Sequence, residues 1–171
     1  VMVEHPGERR GFRVNDASLT AMTKHGAPDW PRQSRMPNRP CPVITRRTIV
    51  ERTNMDRLRA QMVEAAEQCA RTALPEIVDA VKLADMLKDW PTNRTLYFAD
   101  EEGGVPLAEV AKPGPAALLV GPEGGFDADE RAAIKALPQA VAVSLGPRIL
   151  RADTAAVAAL TLWQLRYGDW T

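Results

Sequence analysis

Two short glycine-containing segments carry the residues of this sequence best suited to bind a ligand. Gly-Pro-Glu-Gly-Gly ends the apolar run AALLVG (116–121), and Leu-Gly-Pro ends the apolar run AVAVSLG (140–146). Glycine lets the backbone approach a ligand closely and adopt positive φ. The first segment lacks the lysine of a phosphate loop and the GxGxxG spacing, and Glu123 would repel a phosphate. A ligand that donates hydrogen bonds, such as a ribose hydroxyl or an amine, suits this turn better; an ordinary tight turn is the alternative.

The second segment, SLGPRILRADTAAVAAL, places charged residues directly before an apolar helix. Asp153 or Thr154 could cap that helix. Backbone groups of Leu145, Gly146 and Leu150 could bond the edge of a purine while the leucine side chains cover its faces. The alternative is a capped helix whose arginines are solvated.

Apolar periodicity predicts the elements that position these segments. Asn54 is expected to cap a helix that runs to about residue 71, with an apolar stripe at three- and four-residue steps. Further helices are predicted at 79–89, at 128–137 with a capping box from Asp127 and Glu130, and at 154–167; strands are predicted at 95–100, 116–121 and 140–146. Strands that alternate with helices indicate an α/β fold with a mainly parallel sheet. Ligands of such sheets bind beyond the carboxyl ends of the strands.

Residues 1–42 have a different composition from the remaining chain. Prolines are scattered among arginine, asparagine and glutamine without a lasting period, so we expect irregular structure there and one domain over residues 43–171. Basic residues outnumber acidic ones in residues 1–59, and the reverse holds afterwards. The arginines of the first part could meet phosphates or could form a solvated basic surface.

Several classes of protein are excluded by composition. The two cysteines form no CxxC motif, and neither His5 nor His25 has a set of zinc ligands nearby, so no metal site and no histidine chemistry are expected. No apolar run approaches the roughly 18 residues needed to span a membrane, and no signal peptide is recognisable. A cytoplasmic location is therefore predicted.

Three motifs together resemble a known family. GPEGGF, SLGPRILRADTA and the upstream AAEQCARTALPEI occur in the order found in the RsmE family of 16S ribosomal RNA uridine methyltransferases, which belongs to the SPOUT superfamily. The resemblance covers about residues 43–170. It implies an α/β domain with a C-terminal trefoil knot, a homodimer, the cofactor S-adenosylmethionine, and methylation of uridine N3 in 16S rRNA, either as naked RNA or in the small ribosomal subunit.

The resemblance also implies which residues form the site. Cofactor contacts would come from the first turn and from the second: Val120, Gly121, Glu123, Gly124, Gly125, Leu145, Gly146, Ile149, Leu150 and Thr154. Arg151 or Arg71 would stabilise negative charge on uracil O2 or O4, and Glu67 would hold an arginine or accept the N3 proton. For each of these three, the alternative is an ion pair on a helix surface or at an interface. Cys69, Trp163 and Tyr167 are expected in the core or a dimer interface.

Two departures from the family accompany this resemblance. Asp153 stands where the family usually has glutamate, and the chain has no room for the family's N-terminal β-barrel RNA-binding domain. We therefore expect residues 1–42 to mark a truncation or a shifted reading frame. The alternative function is a catalytically silent knotted module that binds the cofactor or RNA. A dinucleotide-binding enzyme is disfavoured because no GxGxxG motif follows a strand.

Overall fold

The computed structural model of the chain describes residues 18–21, 40–48, 54–68, 77 and 79–167. Within these ranges seven strands and five helices are present. The strands are β1 (Ser18–Ala21), β2 (Cys41–Ile44), β3 (Val81–Lys82), β4 (Thr95–Ala99), β5 (Val105–Pro106), β6 (Ala116–Leu119) and β7 (Ala140–Ser144). The helices are α1 (Met55–Gln68), α2 (Leu83–Lys88), α3 (Leu107–Val110), α4 (Ala128–Ala136) and α5 (Ala152–Tyr167).

The strands form one sheet in the order β3-β2-β1-β6-β4-β7-β5. The pairs β2–β3, β4–β6, β4–β7 and β5–β7 are parallel, which confirms the predicted α/β fold with a mainly parallel sheet. β1 is antiparallel to both of its neighbours, β2 and β6. The expected irregular structure over residues 1–42 therefore does not hold for Ser18–Ala21, because backbone pairing with two strands gives this segment a place that its composition does not reveal.

Both faces of the sheet are covered, as the continuous apolar strands predict. Leu96 and Phe98 of β4 point to one face, where they join a buried cluster with residues of α2 and α4. Tyr97, between them, points to the other face and packs with residues of α3 and α5. Because successive residues of a strand point to opposite faces of the sheet, one apolar run contributes side chains to both cores. No helix among the described residues is long and apolar enough to cross a membrane.

The predicted helix boundaries hold in some places and fail in others. Asn54 caps α1, since its Oδ1 accepts a hydrogen bond of 2.9 Å from the Arg57 N–H. The helix predicted at 79–89 is wrong at its start, because Val81 and Lys82 pair with β2 before α2 begins. β5 and α3 were not predicted; β5 has two residues, and it is fixed by pairing with β7 rather than by a local pattern.

Candidate functional site

The loops that follow several strands meet at one edge of the sheet. β4, β6 and β7 run parallel, so the segments after Ala99, Leu119 and Ser144 leave the sheet on the same side. There Val120, Ala155 and Ala156 form a small buried cluster; Ala99, Leu145, Leu150 and Ala152 pack against it. Three of the predicted cofactor residues, Val120, Leu145 and Leu150, are thus brought together at the start of α5.

The first loop, Gly121–Phe126, forms a tight turn that packs on the buried side chain of Phe126. The Gly125 N–H donates to the Pro122 carbonyl at 2.8 Å, and Gly125 has φ of +66°, a left-handed conformation that favours glycine. A Cβ on Gly121 would lie 3.0 Å from the ring of Phe126, which is buried against Phe98. Glu123 and Gly124 face solvent. The loop therefore presents its middle residues outward on a buried aromatic support.

The second loop, Leu145–Arg151, leaves its backbone open. Gly146 has φ of +123°, and a Cβ there would meet no atom within 4 Å. The Ser144 hydroxyl hydrogen-bonds both the N–H and the carbonyl of Gly146 at 3.2 Å. Ile149 is 82% exposed, an unusual environment for a large apolar side chain. The loop thus leaves space beside the Gly146 backbone and exposes the Ile149 side chain.

α5 begins directly after this loop, two residues earlier than predicted. Because Ala152 is its first residue, Asp153 and Thr154 lie in the first turn and neither is the N-cap. Asp153 Oδ1 accepts from the Thr154 N–H at 2.7 Å and lies 3.2 Å from the Thr154 hydroxyl. The backbone hydrogen bond from Thr154, helped by its hydroxyl and by Arg151, lowers the pKa of Asp153. Asp153 therefore stays charged at the positive end of the helix dipole.

The basic loop after β2 contacts the first loop. β2 and β6 point the same way because β1 is antiparallel to both, so residues 45–48 emerge at the same edge. Arg47 Nη1 donates to the Gly124 carbonyl at 2.5 Å. The Arg46 N–H donates to Glu130 at 2.7 Å, and its guanidinium reaches Asp127 and Asp129 at 3.0 and 2.7 Å. These hydrogen bonds, with Asp129 contributing most, raise the pKa of Arg46.

An ion cluster lies beneath the same loop. Arg131 of α4 pairs with Asp100, which directly follows β4, and its Nη2 lies 3.1 Å from Glu101 Oε1. Lys135 Nζ lies 3.0 Å from Asp100 Oδ2. Arg47, Asp100 and Arg131 were not predicted as site residues from the sequence. The rule that places ligand sites beyond strand ends could have identified Asp100 and Arg47, since each follows a strand within three residues. The sequence around Arg131 contains no pattern that distinguishes it from a solvated arginine on a helix surface.

The described part of the chain includes two of the three catalytic candidates, Arg151 and Glu67. Arg151 lies on the second loop, 80% of its side chain is exposed, and its Nε is 3.8 Å from Asp153 Oδ1. Glu67 lies exposed on α1, and no ion pair joins it to the residues described at the site edge. Arg71 and Cys69 lie outside the described residues, as do His5 and His25. Within the described ranges, no group of three His, Cys, Asp or Glu side chains could hold a metal.

Trp163 and Tyr167 lie on α5 away from the loops. Trp163 is 2% exposed, with ring centroids 5.6 Å from Tyr97 and 5.3 Å from Tyr167. The Tyr167 hydroxyl donates to the Ala111 carbonyl at 2.8 Å. Of the two environments predicted for Trp163, core or dimer interface, the structure shows the core, and Tyr167 joins it at the edge of the same cluster.

The sequence profile of one family, described as an RNA methyltransferase domain, matches residues 38–164. The chain belongs to this family. The matched residues include both glycine loops, Arg47, the ion cluster and most of α5. The resemblance inferred from the three motifs is confirmed.

Individual relatives agree with this membership. The ribosomal RNA small subunit methyltransferase E of Rickettsia conorii is 33% identical over 124 residues, 70% of this chain and 50% of that protein. The protein of the same name from Mycobacterium tuberculosis is 38% identical over 111 residues, 61% of this chain and 42% of that protein. The chain thus spans half or less of the length of these relatives.

Solved structures show the same fold. A ribosomal RNA small subunit methyltransferase E from Neisseria gonorrhoeae, bound to S-adenosylmethionine, superposes with a TM-score of 0.66 at 31% identity, covering 75% of this chain and 56% of that one. A Legionella pneumophila protein in complex with the same cofactor superposes with a TM-score of 0.62 at 30% identity, covering 75% and 55%. The α/β architecture around the two glycine loops is therefore shared with proteins that bind this cofactor.

Proposed function

We propose that this chain binds S-adenosylmethionine between the loops Gly121–Phe126 and Leu145–Arg151. The observation that carries the proposal is the convergence of both loops on the cluster of Val120, Leu145 and Leu150 at the start of α5. The family membership and the two cofactor-bound neighbours support it.

The chemistry of these loops fits the cofactor. Leu145 and Leu150 are half-buried and provide apolar surface for a flat adenine ring, with the buried Val120 packed behind them, and the space beside Gly146 lets the ring approach the loop. The exposed Glu123 carboxylate can accept hydrogen bonds from ribose hydroxyls or from an ammonium group. Gly121, Gly124, Gly125, Ile149 and Thr154 complete the proposed contact set. Preformed loops bind such a ligand with little ordering cost.

The proposed reaction is methylation of uridine N3 in 16S rRNA. Bound S-adenosylmethionine supplies the methyl group. The N3 proton must leave, which places negative charge on uracil O2 or O4; the exposed Arg151 guanidinium is suited to stabilise that charge. Arg71 and Glu67 remain candidates for a second cation and for the proton acceptor. The trefoil knot and a homodimer with sites near the subunit interface are part of the same proposal.

Cofactor binding is tested first, by calorimetric titration of the 171-residue chain with S-adenosylmethionine. We expect one site per chain, with affinity lost in Gly146→Leu, because the leucine fills the open space and is strained at the positive φ of this position. Replacing the exposed Glu109 on α3, outside the loops, by glutamine serves as the control and leaves affinity unchanged. Absence of binding to the folded wild-type chain would remove the basis of the proposal.

Transfer is tested with tritiated methyl donor on small ribosomal subunits that lack the modification. Arg151→Ala is expected to lower the turnover number about 100-fold, the usual loss when a donor to a developing anion is removed. Arg148→Ala, on the same exposed loop, is the matched control and keeps the wild-type rate. Equal rates for the wild type and Arg151→Ala would exclude this role for Arg151. Cofactor binding without transfer by the wild-type chain would favour the alternative, a catalytically silent binding module.

A further inference from the structure

Arg131 connects three separate parts of the site edge from a buried position. It pairs with Asp100 at the end of β4, and its Nη2 lies 3.1 Å from Glu101 and 3.6 Å from Glu102. The same nitrogen lies 3.5 Å from the Phe126 carbonyl, the last residue of the first loop. One side chain of α4 thus contacts the end of β4, the following loop and the end of the glycine turn.

The burial of these charges calls for an explanation beyond stability. The Arg131 side chain is 8% exposed and the Asp100 side chain is fully buried. Desolvation of such a pair commonly offsets its attraction, so apolar residues of similar size would hold the fold as well. What apolar residues cannot supply is a set of directed hydrogen bonds to a carbonyl and two carboxylates. The cluster can therefore fix positions that apolar residues would leave unconstrained.

The position fixed most directly is that of the first loop. A Cβ on Gly125 would overlap the Glu101 carboxylate, which shows that Glu101 lies against the backbone of Gly125. Arg131 Nη2 donates to this carboxylate and also to the Phe126 carbonyl. Gly125 in turn closes the turn through its hydrogen bond to Pro122. A displacement of Glu101 is therefore transmitted to the residues that face solvent, Glu123 and Gly124.

We propose that Arg131 is a positioning residue for cofactor binding, which acts through Glu101 and Phe126 on the loop Gly121–Phe126. It touches neither the cofactor nor the substrate. The loop's conformation depends on Arg131 whatever ligand binds there, while the effect on S-adenosylmethionine affinity rests on the proposed function. These two parts can be measured separately.

Glu101 and Glu102 form a matched pair for the test. They are adjacent in one loop, their side chains are 40% and 67% exposed, and both face Arg131, but Glu101 is the one that lies against Gly125. Glu101→Gln keeps the shape and removes the charge. Glu102→Gln makes the same chemical change without touching the turn. Both variants should fold, since neither side chain is buried.

The first measurement is amide hydrogen exchange of the 171-residue chain without ligand. Glu101→Gln and Arg131→Lys are expected to speed exchange across residues 121–126 about tenfold. The first removes the charge that strengthens the Arg131–Glu101 hydrogen bond, and the second replaces the guanidinium fork by a single ammonium group. Glu102→Gln changes it less than twofold. The proposal is overturned by unchanged exchange in both test variants. It is equally overturned by a matching rise in Glu102→Gln, or by a uniform rise that includes β4 and α5.

The second measurement is the Kd for S-adenosylmethionine and, on substrate RNA, the split between KM and kcat. The test variants should raise the Kd and the cofactor KM about tenfold and leave kcat at saturating cofactor within twofold. If the loop loosens and affinity stays unchanged, Arg131 does not position the cofactor site. If the wild-type chain binds no S-adenosylmethionine, the proposed function fails while the exchange result still decides the role of Arg131 in the loop.

Discussion

Gly124 and Gly125 are neighbours with different physical requirements. Gly125 has φ of +66° and lies against the Glu101 carboxylate. Gly124 has no left-handed backbone, and a Cβ there would meet Arg47 side-chain carbons at 3.5 Å, an ordinary contact distance. The second glycine is thus required for the turn to form, whereas the first keeps an exposed backbone accessible. Their identity in sequence conceals this difference.

This difference predicts unequal costs for the two alanine substitutions. Gly125→Ala should lower the free energy of unfolding by at least about 1–2 kcal/mol, the cost of a left-handed conformation for a residue with a Cβ, because its Cβ would also displace the Glu101 carboxylate. Gly124→Ala should change it by less than about 0.5 kcal/mol. Urea denaturation followed by circular dichroism measures both. Equal losses would show that the turn does not distinguish the two positions.

The N-terminus of α4 joins the first loop to the rest of the fold through its cap. Asp127 accepts from the Glu130 N–H at 2.8 Å, and Glu130 Oε2 accepts from the Asp127 N–H at 3.2 Å, which confirms the predicted capping box. Arg46 binds the same acidic turn from the loop after β2. Arg46, one of the arginines of the basic first part of the chain, is therefore engaged within the chain.

The cap gives α4 a stability contribution that depends on pH. The backbone hydrogen bond from Glu130, followed by the hydrogen bond from Arg46, lowers the pKa of Asp127. The charged carboxylate therefore stabilises the fold fully above the pKa of unfolded aspartate, about 3.9, and this contribution is lost as pH falls through the lower folded pKa.

Asp127→Asn should preserve the cap hydrogen bond and remove the charge. We expect a lower Tm than wild type at pH 7 and a difference that closes as the pH falls below about 3.9. Asp129→Asn, in the same turn with its side chain 78% exposed, is the control and should have a smaller effect. Thermal melts between pH 2.5 and pH 7, about the range over which the aspartate titrates, measure this. A constant Tm difference across this range would contradict the charge argument.

The complete fold depends on a sheet covered on both faces. α2 and α4 cover one face, and α3 and α5 cover the other. Trp163 is the largest fully buried contact of α5 with the sheet, and it packs between Tyr97 of β4 and Tyr167. Because the second loop continues directly into α5, the docking of this helix also determines where Leu145 and Leu150 lie.

Trp163→Ala should therefore destabilise the domain by about 3–5 kcal/mol. Leu165→Ala, on the same helix with the residue 55% exposed, should change stability by less than about 0.5 kcal/mol. Urea denaturation is monitored by circular dichroism, because Trp163→Ala removes a tryptophan that contributes to the fluorescence signal. A loss below 1 kcal/mol for Trp163→Ala, of the order of an ordinary surface change, would mean that α5 docks through other contacts.

Local sequence patterns were sufficient to predict those strands and helices whose characteristic pattern lies within the element itself. The apolar runs at 95–100, 116–121 and 140–146 predicted β4, β6 and β7, and the Asn54 and Asp127 caps predicted the starts of α1 and α4. The glycine turns and the RADTA motif predicted the family. In each case the physical determinant, a continuous apolar run, a cap or a turn glycine, lies within a few residues of chain.

The remaining strands and site residues are determined by contacts between segments that are distant in sequence. β1, β3 and β5 exist as strands because partner strands complete their hydrogen bonds, and Val81 and Val105 carry no local pattern that predicts this. Arg47 and Arg131 belong to the site edge because parallel strands end together there. The role of a charged residue cannot be predicted from the sequence around it. Its desolvation and its hydrogen-bond partners come from segments that are distant in sequence and close in space.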